Sequence, residues 1–92
     1  MDRKPLVSVI VPMFNAEAFV GNAIASIQQE TATPLEIIVV DDGSTDISLK
    51  RVQQIQDDRI RVIHLPTHAG IATALNMGLD LAQGEIIMRC DA

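Results

Sequence analysis

The sequence has few aromatic residues and a single cysteine. Its 92 residues include no tryptophan, no tyrosine and only two phenylalanines, so aliphatic side chains must fill the core. A hydrophobic content of 48% is too high for a disordered chain and suits one small domain. Because Cys90 has no second cysteine to pair with, an internal disulfide is excluded. This favours a reducing compartment, and we expect a cytoplasmic location.

Positive charge is also scarce, and no apolar run is long. The formal net charge of −5 argues against a nucleic-acid partner, because a phosphate backbone requires a basic surface. The longest apolar stretches fall well short of the roughly 20 residues that span a bilayer, so no membrane span is expected in this segment. Asp2 and Pro12 interrupt the apolar start and no small-residue cleavage site follows, which argues against a signal peptide.

Aliphatic, β-branched runs alternate with segments of helical periodicity. Such runs are typical of strands in a parallel sheet covered on both faces, and apolar spacings of three and four predict helices between them. The order β-α-β-α-β-α-β with short connections indicates an α/β fold with right-handed crossovers. The predicted strands cover residues 6–12, 35–40, 60–65 and 85–90, and the helices cover about 16–31, a segment capped by Ser44 or Thr45, and 71–82.

Residues suited to contact a ligand follow three of the four predicted strands. Phe14 and Asn15 come after the first, Asp41 and Asp42 after the second, and Asp91 after the fourth. Ligands of open α/β sheets bind beyond the carboxyl ends of the strands, so these residues are candidates for one site. At such a rim, two adjacent carboxylates would be half solvated, and their charge would be tolerable.

The glycine-rich fingerprints of phosphate binding are missing. No GxGxxG follows the first strand and no GxxxxGK[ST] occurs, so the usual cradle for a dinucleotide or ATP is absent. A nucleotide could instead be held by its base. The carboxylate of Asp42 can accept the ring N–H of uracil, and the ring of Phe14 can stack on it.

The candidate residues also have structural explanations, which the sequence leaves open. Aspartate is common in turns, asparagine is a good helix N-cap, glycine suits left-handed turns, and phenylalanine can belong to the core. These alternatives apply to Asp41, Asp42, Asn15, Gly43, Gly70 and Phe14. His64 is expected on a half-buried strand face and His68 in a solvated loop. Neither stands at metal-ligand spacing with Cys90, so zinc is not expected.

Four segments resemble, in order, the N-terminal half of family 2 glycosyltransferases with the GT-A fold. They are VSVIVPMFN, IIVVDDGSTD, HAGIATALNMGLDLAQGEII and RCDA, and together they cover essentially the whole chain. The resemblance implies a three-layer, Rossmann-like open parallel sheet, truncated, with residues 1–92 as a single nucleotide-sugar-binding domain. Such enzymes transfer a sugar from a nucleotide diphosphate sugar, often a UDP-sugar, to an acceptor such as a growing polysaccharide.

The resemblance also assigns roles at the base-binding end. Pro12, Phe14 and Asn15 would lie beside the base, with Phe14 where the family often has tyrosine. Asp42 would read the edge of the base, and Asp41 would support the turn.

Other residues would flank the nucleotide or bind a metal. Gly70 and Asn76 would belong to the loop and helix beside the nucleotide, although His68 and Leu75 stand where many members have asparagine and arginine. Asp91 would be the first residue of an Asp-x-Asp motif that binds Mn²⁺ or Mg²⁺ through the diphosphate. The second aspartate and the catalytic base would lie beyond residue 92. We therefore expect no catalytic residue in this chain and no turnover by it alone.

Two further expectations and two alternative functions complete the interpretation of the sequence. The complete enzyme would invert configuration, with a nucleotide-sugar donor and a glycan acceptor as partners. An uncovered sheet edge would make the 92-residue chain self-associate. A stand-alone α/β protein-interaction module remains the alternative. A phospho-acceptor receiver domain is disfavoured, because it would carry its acidic pair after the first strand and a lysine late in the chain, whereas the last lysine is Lys50.

Overall fold

The computed structural model describes residues 4–92, in which four parallel strands form one sheet. The strands are β1 (Val7–Met13), β2 (Leu35–Asp42), β3 (Ile60–Leu65) and β4 (Ile86–Arg89), and the helices are α1 (Val20–Gln28), α2 (Ser48–Gln53) and α3 (Ile71–Leu81). The strand order is β3-β2-β1-β4. The predicted α/β alternation is confirmed. Asp2, which entered the argument against a signal peptide, lies outside the described residues.

Helices cover both faces of the sheet. Val20 and Ile24 of α1 and Val52 of α2 pack on the face that includes Val11 and Val39. Ala74 of α3 packs on the opposite face, against Ile38 and Val40. The resulting three layers confirm the Rossmann-like architecture. Since β1 has β2 on one side and β4 on the other, the strand order reverses beside β1, where open sheets bind ligands.

α3 lies unusually close to the sheet because small residues face it. Ala74 is fully buried, and a Cβ built on Gly78 would lie 2.6 Å from Cγ2 of Ile10. Gly70, directly before α3, donates its N–H to Asp42, so the N-terminus of α3 lies at the carboxyl end of β2. None of the helices within residues 4–92 has the length and apolar character required to cross a bilayer.

Pro12 does not end the first strand, contrary to the prediction. β1 continues to Met13, and Pro12 lies in register with Val40 of β2. The carbonyl groups of Leu6 and Ile10, six and two residues earlier, accept N–H groups of β4 and of the residue directly after it, so Pro12 also faces that side. β4 ends at Arg89, opposite Ile10. The missing N–H of Pro12 therefore points past the end of the neighbouring strand, where the ladder requires no donor.

Two helix starts also differ from the prediction. α1 begins at Val20 with Phe19 at its N-cap position, so Asn15 does not cap it. α2 has Ile47 at its N-cap position, and neither Ser44 nor Thr45 caps it. The loops before both helices are longer than predicted because their polar side chains bond to each other instead, as described below.

Candidate functional site

A cavity of about 240 Å³ opens where the carboxyl ends of the strands meet α3. Its lining includes Pro12, Phe14, Asp42, His68, Arg89 and Asp91. The structure thus brings together residues at or just beyond the carboxyl ends of β1, β2 and β4, at the point where the strand order reverses. Contact of these residues with a ligand stays a prediction.

Asp42 is the buried anchor of the loop between β3 and α3. Its Oδ1 accepts the N–H of Ala69 at 2.8 Å, and its Oδ2 accepts that of Gly70 at 3.0 Å. Nδ1 of His68 lies 3.0 Å from the same Oδ2. The residue is 3% exposed, so the expected half-solvated position is wrong. Burial of this charge is tolerable because N–H donors take the place of water.

Asp41 points to the other face of the sheet and does not line the cavity. Successive strand residues face opposite ways, which separates it from Asp42. It is fully buried, not half solvated. Its Oδ1 accepts the N–H of Ser44 at 3.2 Å, and its Oδ2 lies 2.9 Å from Nδ1 of His64. These contacts hold the turn after β2.

His68 belongs to the site, although the sequence argument placed it in a solvated loop. Its ring centroid lies 4.0 Å from that of Phe14, and the ring planes meet at 34°. The side chain is 53% exposed and lines the cavity. The only signal in the sequence was its place in the segment HAGIATALN, where many family members have asparagine.

Asn15 joins the loops that follow β1 and β2. Its Oδ1 accepts the backbone N–H of Thr45 at 2.8 Å and that of Asp46 at 3.3 Å. Its own N–H donates to Oγ of Ser44 at 2.9 Å. Asn15 adopts a left-handed backbone (φ 49°), which asparagine tolerates better than most residues. The loop carrying Phe14 is thereby fixed to the loop that follows Asp42.

A second set of bonds between these loops involves Asp46 and Ser48. Oγ of Ser48 accepts the N–H of Ala16 at 2.7 Å, and Oδ2 of Asp46 accepts that of Glu17 at 3.2 Å. Desolvation opposes the charged form of Asp46, but hydrogen bonds from Ser48 and from the Glu17 amide outweigh it and lower the pKa of the carboxyl group. Asp46 is therefore a charged, structural acceptor.

Asp91 lines the cavity and follows β4 by two residues. It is about two-thirds exposed, and its Oδ1 accepts Nε–H of Arg89 at 2.6 Å. Burial, followed by the Asp91 charge, raises the pKa of the neighbouring Cys90 thiol. Within residues 4–92, no group of three histidine, cysteine or acidic side chains could enclose a metal. A single exposed carboxylate is compatible with Mg²⁺ or Mn²⁺, because water molecules and phosphate oxygens of the substrate can provide the other ligands of the ion.

Gly70 and Asn76 differ in their relation to the cavity. Gly70 precedes α3 with φ 103° and donates to Asp42, so it belongs to the loop that carries His68. Asn76 is exposed on α3 and is not among the lining residues. A contact between Asn76 and the nucleotide stays a prediction.

Comparison with known proteins assigns the chain to a family. The sequence profile described as "Glycosyl transferase family 2" matches residues 8–92. The chain belongs to this family. An uncharacterized glycosyltransferase of Haemophilus influenzae is 43% identical over 94 residues, which cover 100% of this chain and 29% of that protein.

Solved structures agree with the family assignment and with the GT-A fold. Staphylococcal (S. aureus) TarS in complex with UDP-GlcNAc superposes with a TM-score of 0.85 and 32% identity, over 92% of this chain and 26% of that one. The mannosyltransferase PcManGT from Pyrobaculum calidifontis, in complex with GDP-Man and Mn²⁺, gives 0.79 and 31%, over 92% and 26%. This family 2 chain therefore spans less than a third of the length of these relatives.

Proposed function

We propose that this family 2 domain binds a nucleotide diphosphate sugar, specifically a UDP-sugar, for inverting transfer to a polysaccharide or other glycan acceptor. The cavity at the reversal of strand order carries the proposal, because it gathers Phe14, Asp42 and Asp91 at one rim. The complex of TarS with UDP-GlcNAc, a relative of the same fold, supports a uridine donor. The proposal includes a cytoplasmic location and no nucleic-acid partner.

The residues that line the cavity offer two kinds of chemistry. Pro12 provides apolar surface, and the paired rings of Phe14 and His68 provide aromatic surface, for a base. Arg89 ends β4 and Asp91 lies two residues beyond it, and they provide one positive and one negative group for a metal–diphosphate unit. We propose that the base lies against the aromatic residues and that the diphosphate lies beside the charged pair.

A divalent ion would be held by Asp91 together with the diphosphate oxygens. When bound, Mg²⁺ or Mn²⁺ neutralises the charge of the departing diphosphate. The Mn²⁺ in the complex of PcManGT supports this part of the proposal. We propose that this chain contacts the nucleotide base and the ion, and that residues 1–92 alone do not turn over, since they span less than a third of the length of their relatives.

Titration of the ¹⁵N-labelled chain with UDP and Mg²⁺ tests the proposal. We expect the amide signals of Phe14, Asp42 and Gly70 to shift with a common dissociation constant. Asp91→Asn should remove most of the Mg²⁺ dependence of UDP affinity, since it removes the anionic ligand that the ion requires. Glu17→Gln removes a carboxylate outside the cavity lining in the same way, so it is the matched control and should leave the titration unchanged.

Other outcomes would favour the alternative function. If the chain is folded and no amide around the cavity responds to UDP with Mg²⁺, the donor-binding proposal is wrong. A stand-alone interaction module, in which the acids meet a partner protein, would then account better for this surface. A response to GDP but not to UDP would keep the site and change the donor.

We also propose that the 92-residue chain self-associates through β4. Ile86, Ile87 and Met88 are 42–55% exposed, and β4 pairs only with β1 among the described strands. An apolar edge with unpaired backbone groups is a template for a second strand. Light scattering should show an average mass that rises with concentration, and Ile87→Lys should reduce it. A constant monomer mass over a wide concentration range would contradict this proposal.

A further inference from the structure

We propose that His68 supplies the aromatic face on which the nucleotide base stacks, and that Phe14 supports the His68 ring from behind. This inference rests on the proposed nucleotide-binding function and deepens it by assigning the stacking contact. It depends on which sides of the imidazole ring are already occupied in the structure and which side remains open.

One face and one edge of the His68 ring are occupied. Phe14 covers a face, with ring centroids 4.0 Å apart. On the edge, Nδ1 lies 3.0 Å from Oδ2 of Asp42 and 3.2 Å from its carbonyl oxygen. Both oxygens are acceptors, so Nδ1 carries a hydrogen and donates it. The ring cannot rotate without losing these bonds and its contact with Phe14.

The remaining surface of His68 faces the cavity. The side chain keeps 53% exposure despite its contacts with Phe14 and Asp42, and it lines the same cavity as Asp91. Since Phe14 covers one face, the opposite face contributes to this exposed surface. A flat π surface that is already fixed in place loses little conformational freedom on stacking, which favours binding of a base.

The alternative is that Phe14 is the stacking surface and His68 merely covers it until a ligand arrives. The two arrangements predict opposite effects when the imidazole is removed. If His68 is the stacking surface, its loss weakens binding of the base. If His68 is a cover, loss of its ring exposes Phe14 and tightens binding of the base, because the contact between Phe14 and His68 no longer has to be broken first.

Two substitutions separate the ring of His68 from its bond to Asp42. His68→Asn keeps a side-chain N–H that can donate to Asp42 but lacks the ring, and His68→Phe keeps a ring but lacks the donor. For UMP, measured by NMR titration of the 92-residue chain, we expect His68→Asn to weaken binding by about 5- to 100-fold. His68→Phe should stay within about threefold of the wild type, because base stacking tolerates any aromatic ring. Binding of ribose 5-phosphate, which has no base, should be the same in all three proteins.

His64 provides a matched control within the chain. It is 50% exposed, and its Nδ1 lies 2.9 Å from Asp41, the buried neighbour of Asp42, but it does not line the cavity. His64→Asn should therefore leave UMP affinity unchanged. A direct observation accompanies the affinities: in the wild-type complex, nuclear Overhauser contacts should connect uracil H5 and H6 with the ring protons of His68.

Unchanged or tighter UMP binding by folded His68→Asn would overturn the inference while leaving the proposed function intact. Overhauser contacts from uracil to Phe14 alone would do the same, and they decide the matter even if a variant does not fold. Failure of the wild-type chain to bind any nucleotide would instead overturn the proposed function and this inference with it.

Discussion

Replacing Gly43 by alanine is expected to destabilise the chain and to disrupt the candidate site at the same time. Gly43 has φ 73°, and a Cβ there would lie 2.5 Å from both the nitrogen of His68 and the carbonyl carbon of Thr67. These atoms are backbone, so no rotamer change can relieve the contact. We expect a loss of about 2–5 kcal/mol, from the left-handed conformation and from overpacking together.

The functional effect of Gly43→Ala follows from what the displaced segment carries. Moving residues 67 and 68 away from β2 would separate His68 from Phe14 and weaken its contact with Asp42. UDP affinity should therefore fall even at temperatures at which the variant is fully folded. Urea unfolding measures the first effect, and NMR titration with UDP and Mg²⁺ measures the second.

Gly21 gives the control for a change from glycine to alanine. It lies in α1, and no atom lies within 4 Å of the Cβ that alanine would add. Gly21→Ala should raise stability by about 0.5–1 kcal/mol, because alanine favours the helix, and should leave UDP binding unchanged. If Gly43→Ala unfolded at the same urea concentration as the wild type and kept its UDP affinity, the close contact would not matter in solution.

The order of the elements could be predicted from the sequence because burial on both faces leaves a local pattern. The run from Leu35 to Val40 is apolar at nearly every position, and it forms the central strand β2. Periodicity reports which face of an element is buried, and chain order with right-handed crossovers then limits the topology. The same argument predicts that the carboxyl ends of the parallel strands lie together at one edge of the sheet. This is why Phe14, Asp42 and Asp91 could be named as candidate site residues from the sequence.

The details of the site could not be predicted because they depend on contacts between distant residues. Asparagine is a favoured N-cap residue, but the side chain of Asn15 accepts a hydrogen bond from the backbone of Thr45, thirty residues away. Asp42 follows an apolar run, and its carboxylate was expected to be half solvated at the edge of the sheet. The backbone N–H groups of Ala69 and Gly70 instead take the place of water around it. No local pattern in the sequence encodes such bonds. For the same reason, the sequence did not indicate that His68 lines the cavity. Hydrogen bonds from side chains to backbone groups distant in the sequence are therefore the part of this site that only the structure reveals.

Replacing Glu36 by alanine should have a large effect on stability through a buried network remote from the site. Glu36 is 6% exposed, and its Oε2 accepts Oγ–H of Ser8 at 2.6 Å and N–H of Gln83 at 2.7 Å. Oγ of Ser8 in turn accepts N–H of Gly84 at 2.8 Å. The network thereby joins β1 and β2 to the turn between α3 and β4.

The cost of Glu36→Ala follows from the groups that it leaves without a partner. The hydroxyl of Ser8 is fully buried, and the loss of hydrogen bonds to a charged acceptor costs about 1.5–3 kcal/mol each. We expect a decrease of about 3 kcal/mol in the free energy of unfolding, measured with urea, and a smaller decrease for Glu36→Gln, which keeps one acceptor. Glu85→Ala, at an exposed position, should change stability by less than about 0.5 kcal/mol.

The position of Glu36 also allows its effect on folding to be separated from any effect on binding. Ser8 and Glu36 pair near the amino ends of β1 and β2, whereas the candidate site lies beyond the carboxyl ends. Folded Glu36→Ala should therefore bind UDP as the wild type does, in contrast to Gly43→Ala, which should lose both stability and affinity. Equal loss of UDP affinity in the two variants would mean that the sheet transmits a change from one end to the other. In that case the rim could not be treated as a site held only by its own loops.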